Sequence, residues 1–301
     1  MACYEVKERT SMNDITIYQA RDESFLPVWL FGKSEKTQRA YRADINRFYA
    51  IVGRSLRDTT LEDLQTFSNS LVHLKPASRN RAIAAVKSAL SFGVKTGYLQ
   101  VNVGAVMKLP KLEDRLAERI MSEQAIARLL ALETNKRNHA ILVVLYRGGL
   151  RCAELCNLTW RNLQERDETG QITVFGKGDK TRSVLLTQET WDEVMQLRRM
   201  MLRGCDDYVF QSRQARSRTD KADRRMDEST VFRIVQAAAR RAAITGNVSP
   251  HWMRHAHATH ALENGAPITL VKETLGHKSI ETTAKYTHVR PNASSGQYLK
   301  V

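Results

Sequence analysis

The sequence predicts a mainly α-helical chain of two domains with one small β element. Three observations predict this. Apolar residues recur at helical spacing in most of the segments that have a period at all. Strand-like composition is confined to two short runs, QITVF (Gln171 to Phe175) and RSVLL (Arg182 to Leu186), joined by the turn-rich GKGDKT. A charged segment holding Pro110 and the run KLEDRLAER interrupts the helical pattern after the first third. The 301 residues suit about two domains at roughly 100–200 residues each. The expected organisation is a tail over 1–21, a helical domain over 22–105, a linker over 106–120, a second domain over 121–288 and a tail over 289–301.

The elements follow in order. From Ser34, the residues Tyr41, Ile45, Phe48, Tyr49 and Val52 form one apolar stripe, with Lys36, Arg39 and Arg47 on the opposite face. Thr59 followed by Glu62 reads as a capping box for a second helix reaching Leu71. Pro76 breaks the chain, and a third helix runs from Ser78 to about Gly97 with the stripe Ile83, Val86, Leu90 and Val94. Arg79, Arg81 and Lys87 lie off that stripe. In the second domain Ser122 is an N-cap, and further helices are expected over Asn138–Arg147, from Leu150, and over Gln188–Leu202, Thr230–Ala243, His251–Glu263 and Ile268–Leu275. Gln214 to Ser229 is a charged loop.

Composition narrows the class of partner. A hydrophobic fraction of 42% allows real cores. The longest apolar run, AILVVLY, is far short of the ~20 residues a membrane helix needs. The N-terminus MACYEVKERT is charged where a signal peptide is apolar, so a soluble, unexported, cytoplasmic protein is expected, with no membrane partner. None of Cys3, Cys152, Cys156 and Cys205 forms a CxxC pair, which disfavours a zinc ribbon or a thioredoxin motif and fits a reducing compartment. The net charge of +15 points to a polyanion, since Lys and Arg that neutralise phosphate supply most non-specific nucleic-acid affinity.

Six of the eight histidines follow residue 250. His251 and His255, four apart on a helix, could be metal ligands, but HWMRH lacks the glutamate of HExxH and has no further ligand close by. Hydrogen-bonded, inert histidine suits His257, His260 and His255. Phosphate chemistry is the third reading, and the neighbours favour it. Arg254 stands one turn after His251, and Arg151 starts a helix after a glycine-rich turn, where anions are favoured. The planar guanidinium can hold two phosphate oxygens. Lys177 in the hairpin turn could follow a leaving oxygen. The segment LGHKSIETTAKYTH is polar and short, so Tyr286 is not expected to serve a core and is a candidate nucleophile. Its phenol, with an ordinary pKa of about 10, needs nearby cations or a base to react at neutral pH.

The pieces GLRCAEL, GKGDKTRSVLL, HWMRHAHATHALENGAP and LGHKSIETTAKYTH, in this order and spacing, resemble those of the tyrosine recombinases, the phage integrase family, and most closely the compact Xer-like or simple integrase type. The resemblance spans about Ser24 to His288. It implies a helical, SAM-like core-binding domain, a C-terminal α+β catalytic domain, and site-specific cutting and rejoining of DNA. It assigns Arg151 and Arg254 to the phosphate, Lys177 to protonating the 5′-oxygen, His251 to proton transfer from Tyr286, His277 to a hydrogen bond with the phosphate, and Tyr286 to a 3′-phosphotyrosyl link. It implies no cofactor, no metal and no ATP. Double-stranded DNA with a short inverted-repeat core site is the implied partner, held by four protomers on two sites, with accessory proteins left open and the tail Thr287 to Val301 helping assembly. Ala153, Met253 and Ala256 depart from usual family residues at positions without a catalytic role. Lys36, Arg39, Arg79, Arg81 and Lys87 are the candidate DNA contacts of the helical domain. A topoisomerase of related chemistry and a non-catalytic DNA binder are the competing readings.

Overall fold

A computed structural model describes residues 22–110, 116–167, 169–175, 181–201, 204–212 and 224–287. The chain divides into two compact units, Met1–Glu113 and Asp114–Val301. The first holds α1 (Phe25–Leu30), α2 (Glu35–Val52), α3 (Leu61–Ser70) and α4 (Pro76–Lys95). Ser34 caps α2, its hydroxyl accepting from the Thr37 N–H, and the stripe residues Ile45, Phe48 and Tyr49 are fully buried against Phe67, Ile83, Val86 and Leu90. The capping box of α3 falls one residue later than expected, on Thr60 and Asp63. Thr59 is unavailable for it, because its buried hydroxyl donates to the Ser55 carbonyl at 2.8 Å. Helix α4 starts at Pro76 itself, where the missing N–H costs nothing. The expected tail over 1–21 lies outside the described residues.

Helix α1 has no sequence signal beyond a short apolar run, and a buried carboxylate anchors its start. Asp22 accepts from Tyr49 Oη at 2.8 Å, Tyr98 Oη at 2.6 Å and the Leu56 N–H at 2.8 Å. Three donors replace the water that a buried carboxylate loses. Beyond α4 the chain turns back along the helix, with Asn80 donating to the Pro110 carbonyl at 2.7 Å and Lys87 to the Met107 carbonyl.

The second unit contains α5 (Glu123–Ala131), α6 (Lys136–Arg147), α7 (Cys152–Cys156), β1 (Leu163–Arg166), β2 (Thr169–Phe175), β3 (Thr181–Leu186), α8 (Gln188–Met201), α9 (Glu228–Arg241), α10 (Pro250–Glu263), α11 (Ile268–Leu275) and α12 (Ile280–Ala284). The β element is a three-stranded antiparallel sheet in the order β1-β2-β3, registered Leu163 with Ile172 and Ile172 with Val184. The hairpin is therefore joined by a strand whose single buried residue, Leu163, gave no period to read. Helix α6 is buried almost all round, and its residues Ile141, Leu142, Val144 and Leu145 belong to the large core with Trp160, Phe210, Val235 and Met253. Cys156 is part of this core, its thiol pushed up in pKa by hydrogen bonding with Cys152 and by burial, as befits a small apolar residue.

Candidate functional site

Three segments deliver the charged residues to one place. Arg151 is the N-cap of α7, two residues after Gly149, whose φ of +59° and tight packing on His257 and Leu275 leave room for no other residue. Arg254 lies on α10 and is only 2% exposed. Its Nη1 donates to the Gly149 carbonyl and its Nη2 to the Leu275 carbonyl. Arg151 Nη2 donates to the next carbonyl, Gly276 O, at 3.1 Å. Two guanidinium groups that hold adjacent carbonyls are neighbours, so both expected arginines converge on the turn that ends α11. Gly276 closes that turn with a φ of +63°, and His277 follows it.

Glu154, which the sequence did not single out, organises the arginines. It takes the Arg151 N–H at 2.7 Å and Arg151 Nη1 at 2.8 Å, and both of its oxygens take Arg182, at 2.9 and 2.8 Å. Burial alone would raise its pKa, but the hydrogen bonds from Arg182 and from the Arg151 backbone, with their charges, hold it at about 2. Two guanidinium groups thus bond one carboxylate, with Arg254 close enough to feel its charge, and the surplus positive charge is what a phosphate needs. Arg254 itself is lowered to about 10, first by burial and then by Arg151, and stays charged at neutral pH.

Tyr286 corrects an expectation. It is 5% exposed and packs in a small apolar cluster with Ala258, Leu262, Val271 and Leu275. Its own segment supplies only Leu275 of those partners, so a local reading of LGHKSIETTAKYTH could not see the core it joins. Its hydroxyl pairs with His255 Nδ1 at 2.8 Å, and its ring stacks on His277 at 6.3 Å between centroids with 9° between the planes. His255 is hydrogen-bonded as expected, but its partner is the candidate nucleophile, and the sequence signal for this is its place one residue after Arg254. His251 is the next ring along, 4.2 Å from His255 between centroids. His257 bonds the Tyr146 carbonyl at 2.7 Å and His260 the Tyr146 hydroxyl at 2.9 Å, which are structural roles. Among the described residues, no three His, Cys, Asp or Glu side chains are grouped as metal ligands would be. Lys177 lies outside the described residues.

His277 pairs with Thr283 Oγ1 at 2.9 Å through Nδ1, leaving Nε2 to face a ligand. Burial first, then Arg254, Arg151, His251 and Arg182, lowers its pKa to about 4, and His251 and His257 move the same way. Its ordinary value is about 6.5. Between the two values the unfolded chain binds a proton that the folded chain refuses. The stability tied to neutral His277 is therefore complete above about pH 6.5 and is lost as pH falls to about 4. Allowing for partial exposure, the expected loss is about 1–2 kcal/mol. Thermal melts of the DNA-free protein from pH 7 to 4 test this: wild type should lose more than His277→Gln, and equal slopes would reject it.

The candidate contacts of the first unit differ in availability. Lys36 and Arg39 are exposed on α2. Arg79 is half-buried, with Nη2 at 3.4 Å from Ser68 Oγ. Arg81 holds the buried Asp44 at 2.8 and 3.1 Å, and Lys87 holds the Met107 carbonyl. The last two therefore have structural work that their off-stripe placement did not disclose.

Residues 118–293 match the model of the phage integrase family. The chain belongs to that family. Residues 30–97 match the phage integrase N-terminal SAM-like domain. The recombinase is 33% identical to tyrosine recombinase XerC of Pelobacter propionicus over 85% of each chain, and 33% identical to tyrosine recombinase XerD of Vibrio vulnificus over 89% of this chain and 90% of that one. It is a site-specific DNA recombinase of the Xer-like type, an enzyme of DNA strand transfer. The fold also matches the lambda integrase tetramer bound to a Holliday junction, with a TM-score of 0.70, 16% identity and coverage of 93% of this chain and 79% of that one. The XerH recombinase bound to difH in a pre-cleavage complex gives a TM-score of 0.67 at 16% identity, covering 94% and 88%. No helix among the described residues is long and apolar enough to cross a membrane.

Proposed function

We propose that the recombinase cleaves DNA through a phosphotyrosyl link on Tyr286, with no metal and no ATP. The observation that carries this is the convergence of Arg254, Arg151 and His277 on one turn with the Tyr286 ring stacked beside it. The Tyr286 oxygen attacks phosphorus, the P–O5′ bond breaks, and the DNA 3′-phosphate is left on the tyrosine. The phenolic proton leaves through the histidines, His255 in the resting state and His251 beside it. Lys177 supplies the proton that turns the departing oxygen into a 5′-hydroxyl. Arg151 and Arg254 each keep N–H groups beyond those spent on carbonyls and Glu154, and these serve the non-bridging oxygens. Neutral His277 donates from Nε2 when the Thr283 hydroxyl donates to its Nδ1. A 5′-hydroxyl from a partner strand reverses the step. One phosphoester replaces another, so the bond energy is kept and no nucleotide needs to be hydrolysed.

Four protomers on two double-stranded sites, each with a short inverted repeat, are the assembly this chemistry serves, and a cytoplasmic location fits it. Covalent capture tests the reading. Wild-type protein mixed with fragmented DNA of the source organism, in EDTA and without nucleotide, should yield a detergent-resistant adduct that maps to one short inverted repeat. An adduct that needs a divalent metal or ATP would overturn the metal- and ATP-free mechanism.

Lys36, Arg39, Arg79, Arg81 and Lys87 complete the proposal as phosphate contacts of the first unit. Lys36→Ala with Arg39→Ala is the clean test, because both residues are exposed on α2. Each lost contact should lower the slope of log affinity against log salt by about 0.9. An unchanged affinity and slope would show that this face does not touch DNA. Arg81→Ala should instead lower the melting temperature, since it leaves the fully buried Asp44 with a weaker partner at 3.4 Å, Arg47.

A further inference from the structure

The turn that ends α11 presents three consecutive carbonyls, and each accepts from a different arginine. Thr274 O takes Arg182 Nε at 2.8 Å, Leu275 O takes Arg254 Nη2, and Gly276 O takes Arg151 Nη2 at 3.1 Å. The last carbonyls of a helix lack helical partners, and cations are favoured there. Two of these arginines are assigned to the phosphate. Arg182 comes from a third element, β3, and the reaction above gives it no part. Its side chain is only 12% exposed, and all three of its nitrogens are engaged within the protein. It is therefore not a group held ready for DNA.

We infer that Arg182 is a positioning residue for DNA cleavage, one that occupies Glu154 so that Arg151 stays available to the phosphate and that ties the β3 hairpin to the turn presenting His277. The inference rests on the reading of Arg151, Arg254, His277 and Tyr286 as the cleavage machinery. Glu154 is 10% exposed and needs cationic partners. At present its two oxygens receive the Arg182 fork, and Arg151 adds one side-chain and one backbone bond. Without Arg182, Arg151 is the remaining guanidinium in contact with the carboxylate. It would close on Glu154 and withdraw from the Gly276 carbonyl and from the phosphate. The geometry also requires a planar fork. Two nitrogens face the carboxylate while the third reaches Thr274 O from the other edge, and a lysine ammonium cannot span both. The fit is tight at Gly276, where a Cβ would lie 3.1 Å from Arg182 Cδ. Arg151, Glu154, Arg182 and His277 line one cavity of about 830 Å³, together with Lys272 and Lys278.

The test uses the full-length protein and the duplex recovered by covalent capture. Arg182→Lys should lower the single-turnover rate of adduct formation at saturating DNA about 100-fold, the effect of a misplaced catalytic group, with affinity for the same duplex within about 3-fold. Adding Glu154→Gln should recover part of the loss, because it removes the charge that draws Arg151 off the phosphate, while the tie to Thr274 O stays broken. A rate within about 3-fold of wild type would overturn the inference, and so would a loss confined to DNA affinity. If Arg182→Lys melts below the assay temperature, Glu154→Gln/Arg182→Gln replaces it, since two amides can pair in the same place. That variant should be slow at unchanged affinity, and a wild-type rate from it would overturn the inference. Tyr286→Phe separates the two levels. An adduct from Tyr286→Phe removes the reading of the site itself. No adduct from Tyr286→Phe together with a full rate from Arg182→Lys removes the positioning role alone.

Discussion

Tyr286→Phe is expected to form no covalent adduct with DNA while binding the same duplex within about 2-fold of wild type. The loss should be complete rather than partial, because the oxygen that would carry the phosphate is gone. Its hydroxyl is the one group removed, and the ring keeps its packing with Val271 and Leu275 and its stack on His277. The cost in folding should be small, about 1 kcal/mol, the net value of the hydrogen bond to His255. Melting curves and a denaturing gel check both halves. An adduct formed by Tyr286→Phe would exclude Tyr286 as the nucleophile, and a large fall in melting temperature would make the tyrosine primarily a structural residue. The His255 bond carries a further consequence. In the DNA-free protein the hydroxyl is buried and already partnered, so this bond must be exchanged before or during attack on phosphorus.

Most of the site was legible in the sequence, and for a physical reason. Arg151, Arg254 and His277 stand close to local punctuation, a glycine turn, a proline helix start and a left-handed glycine cap, and punctuation survives in one dimension. What escaped was relational. Glu154 lies in an ordinary helical turn, and Arg182 is one charged residue on a strand edge. Neither differs from a solvated surface residue until the fold brings α7, β3 and the end of α11 together. Tyr286 was misjudged as free of any core for the same cause, since its apolar partners come from α10 and α11. The elements show a parallel division. Helices with long stripes, such as α2 and α9, were read within a few residues, whereas α1, α12 and β1 were not, because four to six residues are too few to carry a period. The capping box moved by one residue because Thr59 and Thr60 are equivalent in sequence and differ only in which hydroxyl the Ser55 carbonyl captures.

Arg254→Lys should reduce adduct formation by about 1,000-fold and lower stability by about 1–3 kcal/mol, a double effect not expected of Tyr286→Phe. Arg254 is the most buried charge of the site, and its two donated bonds join the glycine turn before α7 to the end of α11. A lysine retains the charge, but a single ammonium cannot reach the Gly149 and Leu275 carbonyls and a phosphate at once. Burial has already brought the arginine down to about 10 against the neighbouring Arg151. A lysine begins about two units lower, near 10.4, and the same burial would carry it toward neutrality at working pH. The rate of Arg254→Lys should therefore rise as the pH is lowered from about 8 to 6, where the ammonium recharges, while wild type shows no such recovery. Single-turnover rates across that range decide the matter. Parallel pH profiles would mean that lost geometry alone accounts for the defect. A rise in the variant alone would show that the buried charge, as well as the fork, is what the scissile phosphate meets.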